Sequence, residues 1–159
     1  MAVLRYQLDS RMIHGQVSAF ARNLNIEFFL IVNEDTANSD TDVMLLELAA
    51  LNTELEVVSP EEAYDILTHG ELDDYRTMVV FKYITDVKEI IDLGYRFDEL
   101  SISGMYARDE ENKTKVETNL FVDDEDLKNF RYFEDNGVVL THQIAPEYKK
   151  KFVRDIVKY

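Results

Sequence analysis

Short apolar runs alternate with stretches of helical period along this 159-residue chain, and that alternation restricts the fold more than any other feature. Apolar strands separated by crossover helices point to βα units, in which successive strands lie parallel and helices cover both faces of the sheet. The spacing predicts strands over 2–8, 27–33, 54–58, 76–83 and 99–102, a short sixth strand over 120–122, and a last strand over 138–144. Helices are expected from Gly15 to about Leu24, from about Thr41 to Ala50, from Pro60 to Gly70, from Asp86 to Gly94, from Asp123 to about Asn136, and onward from Pro146.

The punctuation agrees with this reading. Ser59-Pro60-Glu61-Glu62 supplies an N-cap, a proline at the first helical position and a glutamate able to close a capping box. Thr85 can cap the next helix, and Val17, Phe20, Ala21 and Leu24 fall at the spacing of one buried stripe on the first. Arg5 and Gln7 interrupt the first strand, so one of its faces is expected to be less deeply covered than in a central parallel strand. The polar stretch Ala107 to Lys115 has no apolar period and reads as an exposed loop or hairpin. With no linker, repeat or low-complexity tract, the expectation is a single three-layer α/β/α domain over 1–159, with a mostly parallel central sheet of about six to seven strands.

Cysteine is absent, which excludes disulfides, thiol chemistry and cysteine metal sites. The N-terminus shows no signal segment, so the cytoplasm is the expected compartment. The run Phe28 to Val32 is far short of the ~20 apolar residues that span a bilayer, and any membrane contact is expected through a partner. A net charge of −15 disfavours nucleic acid, whose phosphates such a field repels.

In an open α/β sheet, ligands bind beyond the carboxyl ends of the strands, where helix N-termini present unpaired amides. The segment Leu8-Asp9-Ser10-Arg11-Met12-Ile13-His14-Gly15-Gln16-Val17 lies at such a place. An imidazole, a guanidinium within reach of it and a glycine that lets backbone amides approach a ligand are what a site handling a phosphoryl group needs. Asn33-Glu34-Asp35 closes the second strand, where Asn33 could hydrogen-bond the first loop and hold its shape. His69 reads as a helix C-terminal residue, His142 as an ordinary strand position, and Thr85 and Ser103-Gly104 as caps and turns. The acidic cluster Asp123 to Asp126 lacks the alternating ligands and the glycine of a calcium loop, so no metal is expected.

The phrase from Leu8 to Val17 resembles the opening of the IIB components of the mannose/fructose/sorbose class of sugar phosphotransferase systems. Ile31 to Ala37, Ser59 to Ala63, Gly137-Val138 and Ala145-Pro146 resemble further segments of that family, so the likeness runs over essentially the whole chain. The resemblance implies a protein-histidine phosphotransferase in which His14 accepts a phosphoryl group, at Nδ1, from a IIA protein or domain and passes it to sugar during uptake through IIC/IID membrane components. It implies phosphate-binding roles for Arg11, Gly15 and Gln16, supporting roles for Asp9 and Asn33, no cofactor, and a cytoplasmic protein peripheral to the membrane through its partners. Relatives commonly carry arginine at the position of Gln7, tryptophan at Ala21, aspartate at Ser10 and proline at Leu51. These departures leave His14 and Arg11 intact and fall on the packing behind the loop and on the docking surface. The alternative of another class is a non-catalytic α/β module that binds an anion or a protein through the same loop. A histidine phosphatase fits poorly, because Ile13 and not arginine precedes the histidine.

Overall fold

A computed structural model describes residues 3–106 and 112–159. Strand β1 (Val3–Asp9) leads through a short loop into helix α1 (Gly15–Asn23), and β2 (Phe28–Val32) is followed by α2 (Glu34–Ala37) and α3 (Asp40–Ala50). Next come β3 (Glu54–Val58), α4 (Pro60–Thr68), β4 (Thr77–Phe81), α5 (Ile84–Asp92) and β5 (Glu99–Gly104). A hairpin of β6 (Thr114–Glu117) and β7 (Leu120–Val122) precedes α6 (Asp124–Asp135), β8 (Val139–His142), the two-residue β9 (Lys151–Phe152) and a 3-10 turn over Val153–Asp155.

The seven-stranded sheet has the order β3-β2-β4-β1-β5-β8-β9, parallel except for β9. Alternate residues of each central strand enter different cores, as a sheet buried on both faces requires. Phe29, Ile31, Met78 and Val80 pack with Val17 and Phe20 of α1 and Leu46 of α3. On the other face Leu8, Leu30, Val79, Phe81 and Ile102 pack with Ala63 of α4, Ile90 of α5, and Phe130 and Phe133 of α6. The capping box at Ser59 forms, with Glu62 N donating to Ser59 Oγ at 3.2 Å.

The structure corrects three expectations. Helix α5 starts at Ile84, before Thr85, because Asp86 accepts from the amide of Tyr83 at 2.9 Å and so closes the first turn two residues earlier than a Thr85 cap would. The segment Leu120–Val122 pairs with Thr114–Glu117 outside the main sheet, touching β5 only through a bridge between Met105 and Leu120. Of the polar stretch before it, residues 107–111 lie outside the described residues, while Thr114 and Lys115 begin β6, in line with the hairpin that reading allowed. The last parallel strand ends at His142, and no α-helix follows Pro146, only the 3-10 turn over Val153–Asp155. The Gln143 side-chain amide donates to the carbonyls of Pro146 (3.4 Å) and Tyr148 (2.8 Å), and the chain then turns back as β9 against β8.

Candidate functional site

β1 lies near the middle of the sheet, so its carboxyl end opens between β4 and β5, and the loop from Ser10 to Ile13 carries the chain from Asp9 to His14. The loop is tied at its base: Ser10 N donates to Gly104 O at 2.9 Å, and Met12 N to Asp9 O at 3.0 Å. That tight turn puts Met12 in the left-handed region at φ 60°, a strained position for a side chain of its size and of a kind that collects at functional sites.

His14 is the N-cap of α1, in an extended conformation, with Nδ1 accepting from Gln16 N at 3.3 Å. The opposite ring nitrogen, Nε2, lies 2.7 Å from Asp9 Oδ2. A carboxylate accepts and a backbone amide donates, so the pair of contacts selects the tautomer with hydrogen on Nε2 and a lone pair on Nδ1. That lone pair faces the first turn of α1, whose leading amides precede the first intrahelical bond from Ser18 N to His14 O. The imidazole is 17% exposed while the Asp9 carboxylate is at 0%, so a reacting group can reach the ring but not the carboxylate behind it.

Burial by itself would raise the pKa of Asp9, but hydrogen bonds from His14 and Arg11 outweigh it and hold the group below the ordinary carboxylate value. Arg11 supplies its amide to Asp9 Oδ1 at 3.0 Å, its Nε to the same oxygen at 3.3 Å and its Nη2 to Asp9 Oδ2 at 3.3 Å. The same Nη2 reaches Gln16 Oε1 at 2.5 Å, and the guanidinium lies over the ring of Tyr106, 4.8 Å from its centre. Asp9, Arg11, His14 and Gln16 are thus brought together. Gly15 is exposed, and a Cβ on it would meet no atom within 4 Å, which leaves a vacant approach to the amides beside Nδ1.

Asn33 goes elsewhere. It caps α2 by accepting from Thr36 N at 3.0 Å and donates to Asp86 Oδ2 at 3.1 Å, so its hydrogen bonds join α2 to α5 and do not brace the first loop. His69 ends α4 with Nδ1 against Asp65 O, and buried His142 has Nδ1 2.6 Å from Ile102 O. Sequence reasoning passed over Gly104 as a turn residue. A Cβ there would fall 2.6 Å from Asp9 Cγ, so the absence of a side chain is what makes room for the carboxylate. Arg5, which interrupts β1, donates from Nε to Gln7 Oε1 and from Nη2 to Ser101 Oγ, both at 2.7 Å, with its guanidinium over Phe20. Burial lowers its pKa to about 10, against the opposing effect of Glu99. Arg5 and Gln7, two residues apart, thus meet on one face of β1.

Among the described residues no His/Asp/Glu cluster could hold a metal, and no helix is long and apolar enough to cross a membrane. The family model described as the PTS system sorbose subfamily IIB component matches residues 3–159. The mannose-specific EIIAB component of Escherichia coli K12 is 25% identical over 156 residues, covering 96% of this chain and 47% of that protein, so the chain spans about half the length of this relative. The fructose-specific EIIB component of Bacillus subtilis is 22% identical over 157 residues, covering 97% of this chain and 95% of that one. The IIBSor domain of the sorbose permease from Klebsiella pneumoniae superimposes with a TM-score of 0.87 at 25% identity, over 98% of this chain and 95% of that domain. With the fold, the loop and a match over nearly its whole length in agreement, the chain belongs to the sorbose subfamily of IIB components of the sugar phosphotransferase system.

Proposed function

We propose that this protein is a protein-histidine phosphotransferase: His14 takes a phosphoryl group from a phosphohistidine on a IIA protein or domain and gives it to a sugar in transit through IIC/IID components. The observation that carries the reading is the orientation of His14, with Nε2 held by Asp9 and Nδ1 turned to the mouth of α1, where its one contact is the long hydrogen bond from the amide of Gln16. Catalysis of phosphoryl transfer is mostly positioning and charge stabilisation, and each contact supplies part of it.

In the accepting step the Nδ1 lone pair attacks phosphorus, and the P–N bond to the donor imidazole breaks with its electron pair returning to that ring. His14 keeps its Nε2 proton, so positive charge develops on the ring, and the buried Asp9 carboxylate offsets it. The amide of Gln16 transfers its hydrogen bond from Nδ1 to a phosphoryl oxygen, and the helix N-terminus favours the added charge. Arg11 is already aimed at the site and can exchange its long contacts to Asp9 for shorter ones to the phosphoryl oxygens. In the second step a sugar hydroxyl attacks phosphorus, the P–Nδ1 bond breaks with its electron pair returning to the His14 ring, and the hydroxyl proton passes to a base of the component that holds the sugar, since Asp9 is buried and already paired. On this reading the protein works in the cytoplasm, held at the membrane through the partners that carry the sugar.

Labelling from phosphoenolpyruvate through enzyme I, HPr and a IIA donor tests the reading. One phosphate per chain should appear, labile in acid and stable in base, and His14→Ala should abolish it. Equal labelling of the variant, or base-labile phosphate, would remove the proposal in favour of a non-catalytic binding module.

A further inference from the structure

We infer that the segment from Gly104, the last residue of β5, to Tyr106 is a positioning platform for the phosphoryl site, with Gly104 seating Asp9 and Tyr106 seating Arg11. The inference rests on the proposed role of His14 for its purpose, but its geometry stands independently.

The β1 and β5 ladder runs in register from Gln7 opposite Ser101 to Leu8 opposite Ile102, and then skips a residue so that Asp9 lies opposite Gly104. The skip brings the one residue without a side chain under the carboxylate. Asp9 is wholly buried, and a Cβ on Gly104 would overlap its carboxyl group, so any larger residue must displace the group that fixes the His14 tautomer. The φ of Gly104 is not in the left-handed region, so close approach and not backbone conformation is what requires glycine here.

Two residues on, Tyr106 places its ring beneath the Arg11 guanidinium. An aromatic face holds a planar cation without consuming its hydrogen-bond donors, so Arg11 can exchange its contacts to Asp9 and Gln16 for phosphoryl oxygens while the ring keeps it seated. The backbone between these two residues is clamped: Met105 N donates to Asn119 O at 2.9 Å, and Phe121 N donates to Met105 O at 2.8 Å. Asn119 holds φ 65° at the turn of the β6–β7 hairpin, and Leu120 beside it is fully buried. The hairpin, which has no place in the main sheet, therefore has a structural reason: it fixes the height of the platform against which Asp9 and Arg11 rest.

The test uses the whole chain labelled with nitrogen-15 at histidine and arginine, and reads the His14 ring nitrogens and the Arg11 Nε–H by NMR before any phosphoryl donor is added. In the wild type the ring should show the Nε2–H tautomer, and Arg11 Nε–H should be shifted upfield by the Tyr106 ring. Gly104→Ala should mix the two tautomers and slow phosphoryl acceptance about tenfold or more, the usual scale for losing a supporting contact behind a reactive group. Tyr106→Leu should abolish the upfield shift and raise the KM for the phosphoryl donor several-fold, while Tyr106→Phe, which keeps the ring face, should restore both. A folded Gly104→Ala protein with an unchanged tautomer overturns the role of Gly104. If that variant does not fold, the tyrosine pair decides: Tyr106→Leu indistinguishable from wild type, in shift and in KM, overturns the platform. Should the wild type take no phosphate while the variants still alter the tautomer and the Arg11 shift, the platform stands and the phosphotransfer reading falls.

Discussion

At the scale of single residues, the site separates the atom that reacts from the atom that orients it. The contact between His14 Nε2 and Asp9 Oδ2 is buried on the carboxylate side, so its electrostatic effect is not diluted by water. Asp9→Asn keeps the shape but replaces a pure acceptor by an amide that can present hydrogen to the ring and select the wrong tautomer. Phosphoryl acceptance should then fall by about 100-fold or more, with the folded far-UV spectrum retained; a fall of less than threefold in single-turnover labelling would show that the carboxylate is dispensable. Gly15 provides the complementary test. Open space surrounds its missing Cβ, so Gly15→Ala should leave the melting temperature equal or slightly higher, while the added methyl obstructs the phosphoryl position and slows labelling about tenfold. Unimpaired labelling of that variant would mean that the phosphoryl group is held elsewhere.

Among the elements, those with local punctuation were legible and those set by distant partners were not. The box at Ser59 and Glu62, the stripe of Val17, Phe20 and Ala21, and the runs over β2 and β4 each carry their signal within a few residues. His14 and Arg11 were legible because loop, glycine and helix follow one another directly, whereas the need for glycine at 104 depends on a carboxylate from another strand. The start of α5 was misread because Asp86 serves two partners, the amide of Tyr83 and the side chain of Asn33. This arrangement predicts a pH dependence. Burial raises Asp86 from 3.8 to about 6, against the hydrogen bonds that favour its charged form. The folded state thus holds that proton more tightly than the unfolded chain. Asp86 costs no stability below its unfolded value of 3.8, and the cost develops as pH rises to about 6 and is complete above it, on the order of 2–3 kcal/mol. Asp86→Asn retains an acceptor for Tyr83 N, so its melting temperature should gain on the wild type between pH 4 and 6.5 and then run parallel. Asp9 acts in the opposite sense: its lowered folded value contributes stability above the unfolded value, lost as pH falls through the folded one. A constant difference between Asp86→Asn and wild type across that range would refute the assignment to Asp86.

The whole molecule is acidic, at −15, yet its site is organised around a guanidinium and a helix N-terminus, so local geometry and not overall field presents the reactive nitrogen. The sheet that carries this site is closed on one side by the last segment of the chain, where sequence reasoning expected a helix. Its covering elements are too short to show a period: two residues of β9, then a 3-10 turn. They nevertheless bury Val153 completely in the core beneath β8, with Tyr159 edge-on to Phe130 at 5.5 Å. The Gln143 carbonyl at the beginning of this segment accepts from Ser103 Oγ at 3.2 Å, one residue before the platform under Asp9. If the segment belongs to the same cooperative unit as the central strands, Val153→Ala should lower the unfolding free energy by about 2 kcal/mol, the transfer and cavity cost of two buried methyl groups, with no change in the urea m-value. Were it a separately fraying end, the substitution would cost under ~0.5 kcal/mol, and hydrogen exchange at Val153 and Ile156 would be no slower than at exposed positions. Because Val153 touches no group of the site, phosphoryl acceptance by the folded variant should equal that of the wild type, which separates what holds the sheet together from what the sheet presents at the end of β1.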